Sequence, residues 1–520
     1  MGTSVFFPIG VAQTNSLPMS LPSAPFLSPG PTRTAAARLW NSPLVAGLIA
    51  LSYAAVLSRG NGPRAALEFD RDEGFSLMKA MLVSRGHSLY SEIWSDQPPG
   101  YTYLIAGFTR VFGETPETAR LITISLASLT LFCVYELCRT RRGTLAGHLA
   151  GLSSALALTM SAGFVRYSVP VMVTLPSVAL AAFAAFILCQ VNAPGPLRRA
   201  FSGFILGAGL AVKLIILTLL PAFLVLLLPP NEERTKPRAL FHALLPFAAG
   251  CATALTISFG PFLGRGLFAM LIGAHVEGAR GMHYSSVWNF YRDDPFLLGL
   301  GALGAALNFR VRSALFALAW VVLSTLALLR HDPVWDHHRI LVTVPLALLV
   351  GLGIGQLSDG AFSPSASRVK TAARAALAST ALVLSAWGYR SGPTRLAPAL
   401  RDYQLPAAFL ATERAVLEHA PHAKWAVTSN QTYAYRLGIP VPPNLAVTSS
   451  KRWQTGHLKN ADVTDALRTY EPEVVILTNR WDKKLRRTLA KRELRSYRPV
   501  YQNRGARDLE VYVRADSKRP

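Results

Sequence analysis

Uncharged apolar stretches of membrane-spanning length recur along this chain and limit what it can fold into. Most are roughly 18 to 24 residues long, which is the length of helix that crosses the hydrocarbon core of a bilayer. Of the 520 residues, 51% are hydrophobic and only 16% are charged, whereas a soluble protein carries about a quarter charged residues. This composition excludes a disordered chain and a disulfide-stabilised secreted domain, and it argues against an ordinary soluble enzyme. The sequence therefore predicts a mainly α-helical, polytopic membrane protein.

The positions of the apolar stretches predict the number of spans. The predicted spans are residues 41–58, 117–138, 144–163, 168–190, 200–228, 239–262, 296–309, 313–329, 339–357 and 371–389. The run 200–228 is too long for one upright helix and contains Lys213 and Pro221, so it forms either one long tilted helix or two short ones. If it crosses twice and the short segment 99–113 does not cross, the bundle has about 11 spans, with 10 to 13 open.

Clusters of Lys and Arg between the spans predict the orientation, because such clusters stay on the cytoplasmic side. The clusters are Arg139, Arg141 and Arg142; Arg198 and Arg199; Arg234, Lys236 and Arg238; Arg310 and Arg312; and Arg368 and Lys370. With 11 spans they all face the cytoplasm, and residues 59–98, 263–295, 330–338 and the tail from 390 face outward. The net charge of +24 has the same origin, since membrane proteins collect cations beside anionic headgroups. We find no motif that predicts nucleic-acid binding.

The composition changes at both ends of the predicted bundle, which divides the chain into three parts. Residues 1–38, rich in Ser, Pro, Thr and Ala, are predicted to be a disordered cytoplasmic tail, and residues 39–390 the transmembrane domain. Residues 391–520 are predicted to be a small extracytoplasmic α/β domain. Its predicted strands are 425–428, 474–477 and 509–513, and its predicted helices are 404–419 and 481–493.

The first outer loop holds the densest group of polar residues, with four carboxylates close together. These are Glu68, Asp70, Asp72 and Glu73. The adjacent Asp72 and Glu73 point to different faces of a helix or strand, so we expect one to face a substrate while the other holds local structure. A carboxylate at the membrane surface can act as general base on an acceptor hydroxyl. A solvated acidic loop without a catalytic role is the alternative.

The residues after these carboxylates form a recognisable series. It runs through Gly86-His-Ser-Leu-Tyr90, Trp94-Ser-Asp96-Gln-Pro98-Pro99-Gly100-Tyr101, Phe112-Gly113, Gly207-Ala-Gly-Leu-Ala-Val-Lys213 and His338-Arg339-Ile-Leu-Val-Thr-Val-Pro345. In order, spacing and topology this series resembles the GT-C superfamily of membrane glycosyltransferases over roughly residues 41–390. More narrowly, it is similar to the branch with protein O-mannosyltransferases, aminoarabinose transferases of lipid A and bacterial lipopolysaccharide sugar transferases.

The resemblance implies that a sugar moves from a polyprenyl-phosphate donor to a hydroxyl of an envelope glycan, lipid or protein. Transfer would take place on the outer face of a bacterial inner membrane, with inversion at the anomeric carbon. By position, Asp72 is the catalytic base and Glu73 is the neighbour that shapes the loop. Members of the family often carry a second acidic residue after an Arg-Tyr pair, but the stretch from Arg166 to Leu175 has none. Asp70 or Glu73 then compensates, or the acceptor site differs, or the activity is reduced.

A leaving phosphate needs cationic partners, which Lys, Arg and His supply. The candidates are Lys213, His275, Arg280, His283, His337, His338 and Arg339, and Asp70 is a further candidate for substrate binding. A lysine within the membrane is a functional-site hypothesis by default, with snorkelling to the interface as the alternative. We predict no cofactor. A divalent metal ion at residues 330–338 is the lower-ranked alternative, because adjacent histidines usually diverge.

Two other functions stay open at this point. One is a transporter or flippase of a lipid-linked substrate, for which the interrupted run 200–228 would be a half-helix site, although we find no internal repeat. The other is a catalytically silent GT-C-like assembly subunit. An Asp72→Asn change separates these functions from a transferase.

Overall fold

A computed structural model describes most of the chain between residues 42 and 515. The described residues are 42–59, 71–139, 144–191, 194–228, 237–273, 284–361, 407–478, 485–486, 489, 493–503 and 509–515. The predicted tail 1–38, the predicted span 371–389, and the candidates Asp70, His275, Arg280 and His283 lie outside these residues. So does most of the predicted helix 481–493.

Helices make up nearly all of the described residues up to position 361. They are α1 (Leu44–Arg59), α2 (Arg71–Ser84), α3 (Pro99–Phe112), α4 (Pro116–Cys138), α5 (Leu145–Met160), α6 (Ala162–Tyr167), α7 (Thr174–Cys189), α8 (Pro196–Leu210), α9 (Leu220–Leu227), α10 (Pro237–Phe259), α11 (Tyr284–Asp293), α12 (Pro295–Leu307), α13 (Arg312–Arg330) and α14 (Ile340–Ala361). The prediction of a mainly α-helical bundle is confirmed.

Helix length and hydropathy mark this bundle as a membrane domain. Within the described ranges, α4, α10 with its 3-10 extension, α13 and α14 with the turn before it are long and apolar enough to cross a bilayer. Shorter apolar helices include α1, α5, α7 and α12. The 14 residues of α3 reach about 21 Å at 1.5 Å per residue, short of the roughly 30 Å hydrocarbon core. Helix α12, a predicted span, has 13 residues, so the topology in which 99–113 does not cross and the total of about 11 spans both stay predictions.

One helix lies at the centre of the bundle. The side chains of α14 are buried along nearly its whole length, and it packs against α5, α12 and α13. The apolar core around it includes the large side chains of Phe223, Phe316 and Trp320. Because α14 is surrounded by other helices rather than by lipid, the turn just before it can carry His337 and His338 inside the protein.

The long apolar run 200–228 is interrupted, as one of its two predicted forms requires. Helix α8 ends at Leu210, a 3-10 helix covers Leu214–Leu219, and α9 follows. Lys213 lies at the break with extended backbone angles (φ −153°, ψ 123°). The break therefore places a lysine at a point where the chain is no longer helical.

The C-terminal residues form the predicted α/β domain. Its elements are α15 (Ala407–His419), β1 (Ala426–Thr428), α16 (Gln431–Arg436), α17 (Ser450–Gln454), α18 (Asn460–Tyr470), β2 (Val474–Thr478), β3 (Tyr497–Asn503) and β4 (Leu509–Arg514). The sheet order is β1-β2-β4-β3, with β1 and β2 parallel and the other neighbours antiparallel. Strand β3 was not predicted, because it is an edge strand with Pro499 and a register shift, and lacks a clear apolar alternation.

This domain packs directly on the first outer loop. Helix α16 contacts α2, and Arg85, the residue after α2, donates to the carbonyl of Gly438 at 2.9 Å. Arg436 pairs with Glu117 at 3.0 Å. Residues 43–520 accordingly form one compact unit. The boundary at residue 390 stays a prediction.

Candidate active site

The first turn of α2 carries Glu73 into the protein interior. Glu73 is fully buried and both of its oxygens accept from Arg120 of α4, at 2.7 Å from Nε and 2.6 Å from Nη2. The backbone N–H of Val171 donates to the same carboxylate at 3.1 Å. Three charge-assisted hydrogen bonds therefore hold the start of α2 against the bundle. Val171 belongs to the stretch where the family pattern led us to expect another acidic residue.

The neighbouring Asp72 has different surroundings. Its side chain is partly exposed, on the face of α2 that also carries Ser76 and Lys79. Lys79 is buried and donates to Ser95 Oγ at 3.2 Å. Burial lowers the pKa of Lys79, while the charges of Asp96 and Asp72 oppose that decrease. Asp72, Lys79 and Asp96 therefore belong to one electrostatic group.

A tight loop brings Asp96 to this group. Tyr90 has a left-handed backbone (φ 68°), and its N–H donates to the carbonyl of Ile93 at 2.8 Å. Its hydroxyl donates to the carbonyl of Gln97, also at 2.8 Å. These bonds fold the residues before Pro98 back onto α2.

The start of α3 fixes this loop to the break after α8. The N–H of Gly100 donates to the carbonyl of Ala211 at 2.8 Å. A Cβ at position 100 would lie 2.7 Å from that oxygen, so the approach requires glycine. The Pro-Pro-Gly motif therefore holds the first outer loop against the segment that carries Lys213.

Lys213 points into the protein at that break. Its side chain is 5% exposed, and its ammonium donates to Thr174 Oγ1 at 2.8 Å. His337 Nε2 lies 3.5 Å away. The charges of Asp72 and Asp96 are close enough to act on Lys213. The predicted base and the predicted intramembrane lysine thus lie in one site although they are far apart in sequence.

The three residues before α14 divide between this site and a neighbouring cluster. His337 faces Lys213 and packs edge-on against Tyr167, and in the described part of the chain its Nδ1 has no hydrogen-bond partner. His338 is buried and its Nδ1 accepts the N–H of Trp335 at 3.2 Å. Arg339 pairs with Asp293 at 3.1 Å and also with Asp336. Its charge is thus balanced by two carboxylates.

The structure therefore brings together Asp72, Lys213 and His337. Glu73, next to Asp72 in sequence, is buried against Arg120. His338 and Arg339 lie in the adjoining cluster. Sequence reasoning missed Lys79, Asp96 and Lys451, which joins the site from the C-terminal domain and pairs with Asp96 at 3.4 Å. Lys79 could have been found, because it follows Asp72 by seven residues on the predicted helix and therefore shares its face.

The metal alternative concerned the His and Asp residues before α14. Over the described ranges, no group of three or more His, Cys, Asp or Glu side chains is arranged to hold a metal ion. The prediction that the protein uses no cofactor stays a prediction.

Known proteins resemble this chain in fold and, over part of its length, in sequence. Residues 96–258 match the family described as dolichyl-phosphate-mannose-protein mannosyltransferase. ArnT from Cupriavidus metallidurans, solved bound to undecaprenyl phosphate, aligns with a TM-score of 0.62 at 14% identity, over 92% of this chain and 99% of that one. The oligosaccharyltransferase of Archaeoglobus fulgidus aligns with a TM-score of 0.50 at 10% identity, over 84% and 69%. No curated protein matches the chain in sequence.

These likenesses confirm the resemblance to the GT-C superfamily. At 10–14% identity the solved structures establish a shared fold, and the family match runs from Asp96, near the end of the first outer loop, to residue 258 in α10. The fold is thus that of GT-C membrane glycosyltransferases. The roles of individual residues stay predictions.

Proposed function

We propose that this chain, which has the GT-C fold, is a membrane glycosyltransferase that uses a polyprenyl-phosphate sugar. The acceptor is a hydroxyl of an envelope glycan, lipid or protein on the outer face of a bacterial inner membrane. One observation carries the assignment: Asp72 is partly exposed and its charge acts on the buried Lys213, while its neighbour Glu73 is neutralised by Arg120. A carboxylate and a buried ammonium in one site are what a base and a phosphate-binding cation require.

Each residue then has one role in the transfer. Asp72 accepts the proton of the acceptor hydroxyl as that oxygen attacks the anomeric carbon of the donor sugar from the face opposite the phosphate. The bond from the anomeric carbon to the phosphate oxygen breaks, and its electrons leave with the polyprenyl phosphate. Lys213, oriented by Thr174, stabilises the negative charge that develops there. His337, next to Lys213, lies where it can share that charge.

The lipid form of the donor has two supports. Lys213 lies in an interrupted apolar helix, where a phosphate carried by a membrane lipid can reach it. ArnT, whose fold this chain shares, has been solved with undecaprenyl phosphate bound. Both Asp72 and the C-terminal domain would face outward, as the distribution of Lys and Arg between the spans predicts.

The test compares a deletion strain with strains that carry wild type, Asp72→Asn or the control Asp465→Asn. We expect a sugar to disappear from the envelope, and its lipid donor to accumulate, in the deletion and Asp72→Asn strains alone. Mass spectrometry of envelope glycans and polyprenyl-phosphate sugars measures both. Asp465 is exposed on α18, so the control makes the same chemical change away from the site.

The interrupted helix around Lys213 also suits a transporter of a lipid-linked substrate. That function does not need a general base. If Asp72→Asn restores the envelope sugar as well as wild type does, the transferase proposal is wrong and transport or assembly takes its place.

A further inference from the structure

Helix α17 and the turn after it lie over the first outer loop. Lys451 Nζ is 3.4 Å from Asp96 Oδ2, and the two side chains are only 10% and 18% exposed. An ion pair this shielded is screened much less than one on an open surface. Lys451 is therefore part of the interior of the site although it comes from the C-terminal domain.

The neighbours of Lys451 hold it in this position. The guanidinium of Arg452 lies 5.1 Å from the ring centre of Trp94 in the first outer loop. The same group donates to the carbonyls of Asn444 at 2.5 Å and Val447 at 2.8 Å. The ring of His457 also packs against Trp94. These contacts fix α17 to the loop, so Lys451 is oriented before any substrate arrives.

The site holds more lysines than carboxylates. Lys79, Lys213 and Lys451 contribute three amino groups. Asp72 and Asp96 contribute two carboxylates, and Asp96 is paired with Lys451 at 3.4 Å. The nearby pair of Glu73 and Arg120 is internally balanced. A shielded site with more amines than carboxylates favours a bound anion, which in turn favours the protonated form of each lysine.

We propose that Lys451 binds the phosphate of the lipid donor together with Lys213, so that the C-terminal domain supplies a substrate-binding residue. This inference rests on the proposed function and adds a second phosphate ligand to it. Lys451 is paired with Asp96 at 3.4 Å. Gly100, four residues after Asp96, donates to the carbonyl of Ala211 at 2.8 Å, and Lys213 follows two residues later. The Pro-Pro-Gly motif therefore holds Lys451 and Lys213 in the same site. Asp96 holds the ammonium in place, and the phosphate contributes the missing negative charge.

The experiment measures binding of undecaprenyl phosphate and of undecaprenol, which lacks the phosphate, to the full-length protein in nanodiscs. Wild type is compared with Lys451→Gln, Lys213→Gln and the control Lys459→Gln, whose side chain is exposed on the same domain. Losing one charged hydrogen bond weakens binding by about ten- to hundredfold. We expect Lys451→Gln and Lys213→Gln each to weaken binding of undecaprenyl phosphate by this factor and to bind undecaprenol as wild type does. We expect Lys451→Arg to bind undecaprenyl phosphate more tightly than Lys451→Gln, because it restores the positive charge.

The outcomes separate this inference from the proposed function. If Lys451→Gln binds undecaprenyl phosphate as tightly as Lys459→Gln does while Lys213→Gln does not, the role of Lys451 is wrong and the transferase stands. If Lys451→Gln weakens both lipids equally, its effect is on domain docking and the inference is overturned. If wild type does not distinguish the two lipids, both proposals fail.

Discussion

Asp72 and Glu73 are adjacent in sequence but have opposite surroundings. Glu73 is fully buried with three hydrogen bonds to its carboxylate, whereas Asp72 stays partly open to the site. A carboxylate held by a bidentate arginine is committed to structure, because moving it leaves a buried charge without a partner. At the scale of single residues, Glu73 therefore anchors the helix and leaves Asp72 available for the proposed activation of the acceptor.

We expect Glu73→Gln to lower stability by about 3 to 5 kcal/mol, because Arg120 keeps a buried charge without a partner. The measurement is thermal unfolding of the purified protein, with Glu418→Gln, whose side chain is 73% exposed, as the control. The double change Glu73→Gln with Arg120→Gln should recover part of the loss, since it removes both charges. A Glu73→Gln protein as stable as the control would show that the pair does not anchor α2.

At the scale of elements, the site depends on where three helices begin or end. Helix α2 begins at the carboxylate pair, α3 begins at the Pro-Pro-Gly motif, and α8 ends just before Lys213. The hydrogen bond from Gly100 to Ala211 joins two of these ends. Polar groups released at the ends of helices are satisfied across the site rather than by lipid, which a membrane protein requires.

We expect Gly100→Ala to reduce both stability and activity. The new methyl group would lie 2.7 Å from the Ala211 carbonyl, so the break that carries Lys213 must shift. Such overpacking costs about 1 to 3 kcal/mol. Thermal unfolding and transfer rate are the measurements.

Gly107→Ala is the matched control, because Gly107 is in the same helix and nothing lies within 4 Å of the added carbon. It should leave activity unchanged. Equal behaviour of the two variants would mean that α3 does not position Lys213.

The elements were largely predictable from sequence, but their meeting points were not. The lengths of the apolar runs predicted the long helices of the bundle, and the apolar residues Val474 to Leu477 predicted a central strand. Lys79 could have been placed beside Asp72 by helical spacing alone. Lys451 could not have been placed there, because its pairing with Asp96 depends on how a separate domain docks. The spacing of residues in the sequence does not predict that docking.

At the scale of the whole molecule, the bundle and the C-terminal domain share a core. Apolar side chains of α2 and α3 pack in one cluster with those of α15, α16 and the sheet. A close approach occurs at Gly74, where a Cβ would lie 2.5 Å from Thr432 Oγ1 and 3.0 Å from the backbone nitrogen of Thr432. The glycine after the carboxylate pair is therefore a docking residue for the domain.

We expect Gly74→Ala to loosen this docking and to displace Asp72 with it. Activity should fall, and limited proteolysis should cut the C-terminal domain earlier than in wild type. Adding Thr432→Ala should restore part of both, because it removes the nearer of the two contacts. Wild-type protection from proteolysis in Gly74→Ala would rule out this interface as the point of docking.

The contact between Arg85 and Gly438 joins residues 353 positions apart in the chain. During synthesis α2 is made long before its partner helix α16 exists, so its polar face must wait in an unfinished site. The proposed transfer therefore requires the C-terminal domain to have folded, and the nascent chain should be inactive until then.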